Sequence, residues 1–383
     1  MVKLFVIFAF CGWMIIGHCD ERLWLDAKVN GKTAGLIFDS GSSHEMLFRK
    51  GAERLGLKIT DPPPGFKPAP GEVANGWTEE CELKLGETAV RLSLPVVDLP
   101  NYMDAGLDGI IGWQTVRKNV FQIDAVEQTL KPLDTVPEEA TSWMTFHVRT
   151  NSDILTLEIP NQKGNAVTVI TVDTGTDKGV SLSPKRWCKW RAAHSNESTT
   201  LDASYSPVEG LVVSEEAWAK ELSFGPLTLT DVPAFAATSA EVAALGSSQY
   251  ESRFGLAALK RMDFIVDGRK GIAYVRPKKT PPPPCEHNRL GAVFVPRDDQ
   301  NDDLIAHVVA GSPAHEAGIR NGDVLLKIAD LDVTRWRADP AVLPLSRFWQ
   351  EPAGTKLRLT LRRGNETPEI SVLLRDILPS LAD

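Results

Sequence analysis

Leu36-Ile37-Phe38-Asp39-Ser40-Gly41-Ser42 decides the reading of this chain, because it has an echo in Val169-Ile170-Thr171-Val172-Asp173-Thr174-Gly175-Thr176. Each is a short apolar, β-prone run ending in Asp-[Ser/Thr]-Gly-[Ser/Thr]. An apolar strand delivers its terminal carboxylate to a partly buried spot. Glycine lets the chain turn sharply there and leaves room for a neighbouring backbone. The flanking hydroxyls can hydrogen-bond the carboxylates and fix their orientation. The two aspartates stand 134 positions apart. If they meet at one site they cannot both ionise, so they share a proton and act as an acid/base pair. Asp39 and Asp173 are therefore candidate catalytic residues. Ser40, Gly41, Ser42, Thr174, Gly175 and Thr176 are their supports.

Further repeats surround the two motifs. Gly112 to Asp124 reads GWQTVRKNVFQID, and Gly255 to Asp267 reads GLAALKRMDFIVD. Both fit G-x-x-x-[VL]-[RK]-[KR]-x-x-F-x-[IV]-D, and each begins a similar distance after its aspartate. Two unrelated β-domains rarely share all of this, so the chain is read as an internal duplication in which each half supplies one Asp. In the first half, Leu23 to Lys32 reads as a strand with an Asn30-Gly31 turn, and Ala34 to Phe38 as the next strand. Gly51 to Leu57 reads as a short helix, residues 61–72 as a Pro/Gly-rich loop, and Leu107 to Gly112 as the prelude to a helix and a strand ending at Asp124. In the second half, Leu155–Ile159 and Ala166–Val172 bracket a turn, Gly179–Leu182 matches Glu45–Phe48, and later strands include Leu211–Val213 and Leu227–Val232. Asp108 and Asp124 read as structural, and Gly112 and Gly255 as packing glycines. Short strands between Gly and Pro turns indicate mostly β structure.

Lys278-Lys279-Thr280 and the prolines 281–284 cannot continue a sheet and read as a stiff extended linker. Beyond them, Leu304–Val309 is strand-like, and Gly311–Ile319 reads as a turn, one helical turn and a Gly stop. Asn321-Gly322-Asp323 is a tight turn before the strand Val324–Ile328, and Lys356–Arg362 is a late strand.

With 383 residues the chain has room for two or three domains. A net charge of −8 argues against a nucleic-acid surface, which needs clustered Lys and Arg. Lys3, the apolar run Leu4–Ile16 and Gly17-His18-Cys19 fit a secretory signal of residues 1–19. An uncleaved N-terminal anchor and a lipid-modified Cys19 are the alternatives. Cys81, Cys188 and Cys285 are scattered and odd in number, so they set up no disulfide framework. No CxxC pair suggests a zinc site. His315-Glu316 lacks a second His at helical spacing, so no metal and no other cofactor is expected.

Several of these residues are those of known families. The strand and Asn-Gly turn, DSGS at Asp39–Ser42, ERLGL at Glu53–Leu57 and DGIIG at Asp108–Gly112 resemble retropepsin-like aspartic peptidases. The second half, with DTGT at Asp173–Thr176 and Arg253-Phe254-Gly255, resembles them too, although Arg253 stands where an apolar residue is usual and Asp177-Lys178 adds charges beside the motif. The resemblance implies a mainly β fold of duplicated pepsin/retropepsin-like acid-protease barrel lobes, fused rather than homodimeric. In it Asp39 and Asp173 face each other across a pseudo-twofold axis. Ser40 and Thr174 brace the two loops, and Ser42 and Thr176 bond the outer carboxylate oxygens. Flap candidates are Gly71–Trp77 and Ser206–Gly210.

The segment SPAHEAGIRNGDVLLKI, Ser312–Ile328, resembles a PDZ domain, a β-sandwich or partial barrel with short helices. Its carboxylate-binding loop is expected at Leu290, Gly291, Ala292 and Val293. The resulting domain plan is a signal at 1–19, lobes at 20–140 and 141–278, a linker at 279–285 and a PDZ domain at 286–383. The expected function is that of a monomeric, secreted or envelope-located aspartic endopeptidase that uses a water molecule activated by the Asp pair. Its partners are a protein or peptide substrate and a peptide held by the PDZ domain. A non-catalytic peptide-binding scaffold that keeps the fold is the alternative.

Overall fold

The computed structural model describes residues 13–15, 22–64, 74–99, 106–161, 163–164, 166–206, 210–238, 242, 250–279, 286–298, 301–339 and 342–378. Trp24–Val29 and Lys32–Asp39 form the expected hairpin. Its turn is made by Asn30 and Gly31, both at positive φ (47° and 79°), the conformation that suits the twist of a tight hairpin. The first helix spans Arg49–Leu55 and stops at Gly56, which is left-handed at φ 75°.

The two halves repeat one plan. In the first, Gly109–Gly112 lies parallel to the Asp39 strand, with Gly112 opposite Asp39. In the second, Tyr250–Phe254 lies parallel to the Asp173 strand, Val167–Val172, with Phe254 opposite Val172. Each of these crossing strands runs into a short helix, Trp113–Val116 or Leu256–Leu259. Each then continues into a strand, Val120–Asp124 or Met262–Asp267. The two strands that carry the sequence repeat pair with one another, Phe121 opposite Val266 and Ile123 opposite Phe264. The internal duplication is thus closed by its own repeated segment.

That pairing makes the second half's thirteen-stranded sheet continuous with the end of the first half, while a nine-stranded sheet completes the first. A shared core runs beneath the join. Phe38, Trp113 and Phe121 of the first half pack with Leu155, Val172 and Phe264 of the second. The Phe38 and Phe121 rings meet edge-on at 5.9 Å. Burying each such side chain stabilises by about 1.5–3 kcal/mol, so the lobes are joined by a core rather than by a linker.

The C-terminal region is a separate six-stranded sheet with its own core around Trp336, Leu359 and Leu361. Ser312 caps the helical turn Pro313–Glu316, Gly318 stops it at φ 94°, and Val324–Ile328 follows as expected. Ala292–Pro296 is the edge strand of this sheet, paired on one side only, with Leu304–Val308.

Of the expected signal, only Trp13–Ile15 is described, a short strand beside Thr199–Ser206. The rest of residues 1–19, and prolines 281–284 of the linker, lie outside the described residues. Among the described residues no helix is long and apolar enough to cross a membrane.

Candidate active site

Asp39 ends its strand and Asp173 directly follows its own, 1% and 0% exposed. The residues after them lock the loops together. Ser40 N donates to Thr174 Oγ1 at 3.0 Å, and Thr174 N donates to Ser40 Oγ at 3.1 Å. Each hydroxyl then donates across to the other strand, Ser40 Oγ to the Val172 carbonyl at 2.7 Å and Thr174 Oγ1 to the Phe38 carbonyl at 2.8 Å. A short hydroxyl side chain both accepts and donates, which is what a symmetric brace needs. The two residues thus tie the loops together through four reciprocal hydrogen bonds.

The glycines are placed crosswise. A methyl group built on Gly41 would sit 2.6 Å from Asp173 Cγ, and one on Gly175 would sit 2.6 Å from Asp39 Cγ. Each loop's glycine therefore lies against the other loop's carboxylate, and only hydrogen fits between them. Within its own loop each glycine also donates its N–H to the aspartate, at 2.9 Å for Asp39 Oδ1 and 3.0 Å for Asp173 Oδ1. The four residues form a pseudo-twofold cluster in which the two carboxylates are neighbours.

Ser42 and Thr176 differ from expectation. The Ser42 hydroxyl donates to the His44 carbonyl at 3.2 Å, so its single proton is not available to Asp39. The Ser42 N–H donates to the Asp39 main-chain carbonyl at 3.2 Å and, lying beside the carboxyl group, opposes the rise of its pKa. Thr176 Oγ1 accepts from Lys178 N at 3.4 Å. The hydroxyls secure the shape of the loops, and peptide N–H groups hold the carboxylates.

Burial pushes Asp39 up to about 6. The Gly41 N–H, the Asp173 side chain, the Ser42 N–H and the Arg253 charge act in the opposite direction. Burial, and then the Asp39 charge, raise Asp173 well above the ordinary carboxylate range. Two buried acids side by side keep one proton between them over a window that lies above the ordinary carboxylate range.

Arg253 is the departure from symmetry. It stands two positions before Gly255 as Ile110 stands two before Gly112. Its side chain is 2% exposed, with Nη1 3.5 Å from Asp173 Oδ2. A buried guanidinium there favours the ionised form of both carboxylates, so it lowers both pKa values against the burial that raises them. Exchanging Arg253→Met removes that charge, so both pKa values rise. The acid limb of the pH–rate profile is expected to move up by about 1–2 units. An unchanged limb in a folded variant shows that Arg253 does not set the charge of the pair.

Asp108 is structural, as expected. It is buried, accepts from Gly35 N at 2.5 Å and from Arg54 Nε at 2.7 Å, and thereby ties the first helix to the crossing strand. The second half repeats this link as Arg186–Glu251 at 3.1 Å. Asp124 accepts from the N–H groups of Val126 and Glu127 and shapes a turn. Ser206 pairs with Gly210, so the second flap candidate is the tip of the long hairpin Thr199–Ser206 and Gly210–Phe224, with 207–209 outside the described residues. In the first half the corresponding hairpin is Ile59–Thr60 with Ala74–Thr78. Trp77 lies on its return strand, and residues 71–73 of that candidate are outside the described residues.

Two residues that sequence reading did not assign bear on the sites. Lys178, noted only as a charge near the second motif, is buried. It reaches the long hairpin through Asp202 Oδ2 at 2.7 Å and Ser204 Oγ at 3.0 Å. Asn288, just before the expected carboxylate-binding loop, turns its side-chain oxygen onto the N–H groups of Leu290 and Gly291, both at 3.0 Å. Ala292 and Val293 begin the edge strand. No group of His, Cys, Asp and Glu side chains suited to a metal ion occurs among the described residues.

Residues 25–115 match the family model of the aspartyl proteases, and residues 304–363 match that of the PDZ domain. The first match contains Asp39 and the Asp108–Gly112 segment. Asp173 and the loop at 290–293 lie outside both. Among solved structures, the chain is similar to the retroviral protease-like domain of Ddi1 from Leishmania major. That likeness is at 18% identity, with a TM-score of 0.22, and covers 31% of this chain and 98% of that one. No curated protein matches. The chain thus carries an aspartyl-protease segment that contains Asp39 and a PDZ segment within one mainly β protein.

Proposed function

We propose that the protein is an aspartic endopeptidase whose single active site is built from both halves. The crosswise fit of Gly41 against Asp173 and Gly175 against Asp39 carries this reading, because it makes the two buried carboxylates neighbours. In the reaction the pair holds one proton. The ionised member takes a proton from a bound water as that water attacks the scissile carbonyl carbon. The protonated member gives its proton to the carbonyl oxygen, so a gem-diol forms. The proton taken from water then passes to the leaving amine as the C–N bond breaks, and the other carboxylate takes one hydroxyl proton back from the gem-diol. The pair titrates as a unit, so neither role belongs to one residue alone.

The long hairpin beside Lys178 supplies one wall of the cleft, where an extended substrate lies across the lobes. The PDZ domain raises the local concentration of peptide segments. The Lys3 and Leu4–Ile16 pattern supports a secreted or envelope-located protein as part of this proposal. Peptidase and scaffold are separated by a statine-type transition-state analogue. A competent pair is expected to bind it at least ~100-fold more tightly than the matching peptide, as transition-state complementarity requires. Equal affinities, together with intact unstructured protein after incubation from pH 4 to 8, overturn the peptidase reading.

A further inference from the structure

The N–H groups of the expected carboxylate-binding loop already have an occupant. Asn288 is 4% exposed. Its Oδ1 accepts from Leu290 N and from Gly291 N, each at 3.0 Å. Its Nδ2 donates to the Ala292 carbonyl at 2.9 Å and to the Leu201 carbonyl, also at 2.9 Å. Its own main-chain carbonyl accepts from Thr200 Oγ1 at 2.8 Å. Thr200 and Leu201 belong to the long hairpin of the second lobe. One side chain therefore fills the loop that would receive a carboxylate and fastens it to the catalytic unit.

The rest of the groove is closed from the same side. The cavity between the edge strand Ala292–Pro296 and the segment of Trp336, Leu345 and Trp349 is roofed by Leu201, Ala203 and Leu211 of the hairpin. About 50 Å³ remains. That admits a few water molecules and no peptide. The hairpin strand that carries Thr200 and Leu201 also carries Asp202 and Ser204. Both of these hold Lys178, three residues beyond Gly175 of the active-site loop.

We infer that the long hairpin is the internal ligand of the PDZ domain, with the Asn288 carboxamide standing in for a peptide's terminal carboxylate. A free carboxyl terminus with an apolar last residue competes with Asn288 for the Leu290 and Gly291 N–H groups, and its binding frees the hairpin from the groove. The same strand is tied to the groove at residues 200–201 and to the active-site loop at residues 202–204. Groove occupancy and loop order are therefore coupled, and coupling of this kind is reciprocal. The intact but closed domain binds an outside peptide with an affinity reduced by the fraction of molecules that are open. This goes beyond the proposed peptidase function, and neither measurement below requires peptide hydrolysis.

The test uses the whole chain and a fluorescent heptapeptide ending in valine with a free carboxylate, beside its C-terminally amidated twin. Asn288→Ala removes the internal occupant and leaves two N–H groups for the probe. It is expected to tighten binding of the free-carboxylate peptide at least tenfold and to leave the amide unchanged. Thr200→Val keeps Asn288 in place and loosens its tether. It is expected to tighten binding in the same direction and carries the comparison if Asn288→Ala does not fold. In the wild type, a saturating level of the free-carboxylate peptide is expected to speed hydrogen exchange at residues 199–204 and 176–179 at least tenfold. Three outcomes overturn the inference: equal affinity of wild type and variants, no binding to any of them, or binding that leaves exchange at the hairpin unchanged.

Discussion

Asp39→Asn and Asp173→Asn are each expected to lower kcat/KM for an unstructured polypeptide by about 10³-fold or more, and by similar factors. Asparagine keeps the volume and one carbonyl oxygen, so the crosswise packing against Gly41 and Gly175 survives. It cannot share a proton with the remaining carboxylate, and it cannot accept one from water. Acid/base participation contributes about 10²–10⁴-fold, and here one substitution removes both roles because the pair acts as a unit. Similar losses in the two variants show one active site made from both halves. Activity that survives Asp173→Asn but not Asp39→Asn shows instead that the first half works alone or as a homodimer. A melting curve separates loss of chemistry from loss of fold. Asn at position 39 escapes the burial penalty that raises the acid to about 6, so the variant is not expected to be less stable at neutral pH.

The second large effect concerns a residue with no chemistry of its own. Gly175→Ala places a methyl group 2.6 Å from Asp39 Cγ, and Gly41→Ala does the same to Asp173. Carbon atoms approach no closer than about 3.5 Å without repulsion, so the carboxylate or the loop has to shift by roughly 1 Å. The Ser40–Thr174 brace resists that shift on both sides, since moving a loop breaks four buried hydrogen bonds. A 1 Å misplacement at a reacting group costs about 10²-fold. We expect a loss of at least that size in kcat for either variant, with a lower melting temperature. Wild-type kcat in a folded Gly175→Ala protein contradicts the placement of the two loops.

Much of this site is local in the sequence and was legible there. The motif around Asp39 and its echo announce themselves by residue type. The repeat at Gly112–Asp124 and Gly255–Asp267 predicts two equivalent elements, and these prove to be each other's pairing partners. Arg253 was legible as a misfit, but its partner was not, because nothing in the spacing says that it reaches Asp173. Asn288 carried no signal at all. Its contact with Leu201 spans 87 positions and depends on how two separately folded units meet. The helix Pro184–Ala193 was also missed. Its Lys and Arg residues mask an apolar face made only by Trp187 and Trp190. In the same region the strand Gly210–Phe224 runs far past the expected Leu211–Val213, because it pairs first with Thr199–Ser206 and then, from Glu216 onward, with Leu227–Ala236. The Ser42 and Thr176 hydroxyls bond instead to the His44 carbonyl and the Lys178 N–H, two residues ahead in their own loops, contacts that residue type alone does not announce.

The pairing of Val120–Asp124 with Met262–Asp267 has a consequence for synthesis. Val120 finds its partner Asp267 only after the whole second half has left the ribosome. At about 5–20 residues per second, that delay is on the order of 10–30 seconds. Throughout it the nascent first half presents an unpaired strand edge, the kind of edge that recruits other chains. It also carries only one of the two acids. A ribosome-bound chain therefore lacks a complete acid pair until its second lobe closes, and over the same interval its open edge is exposed to other chains.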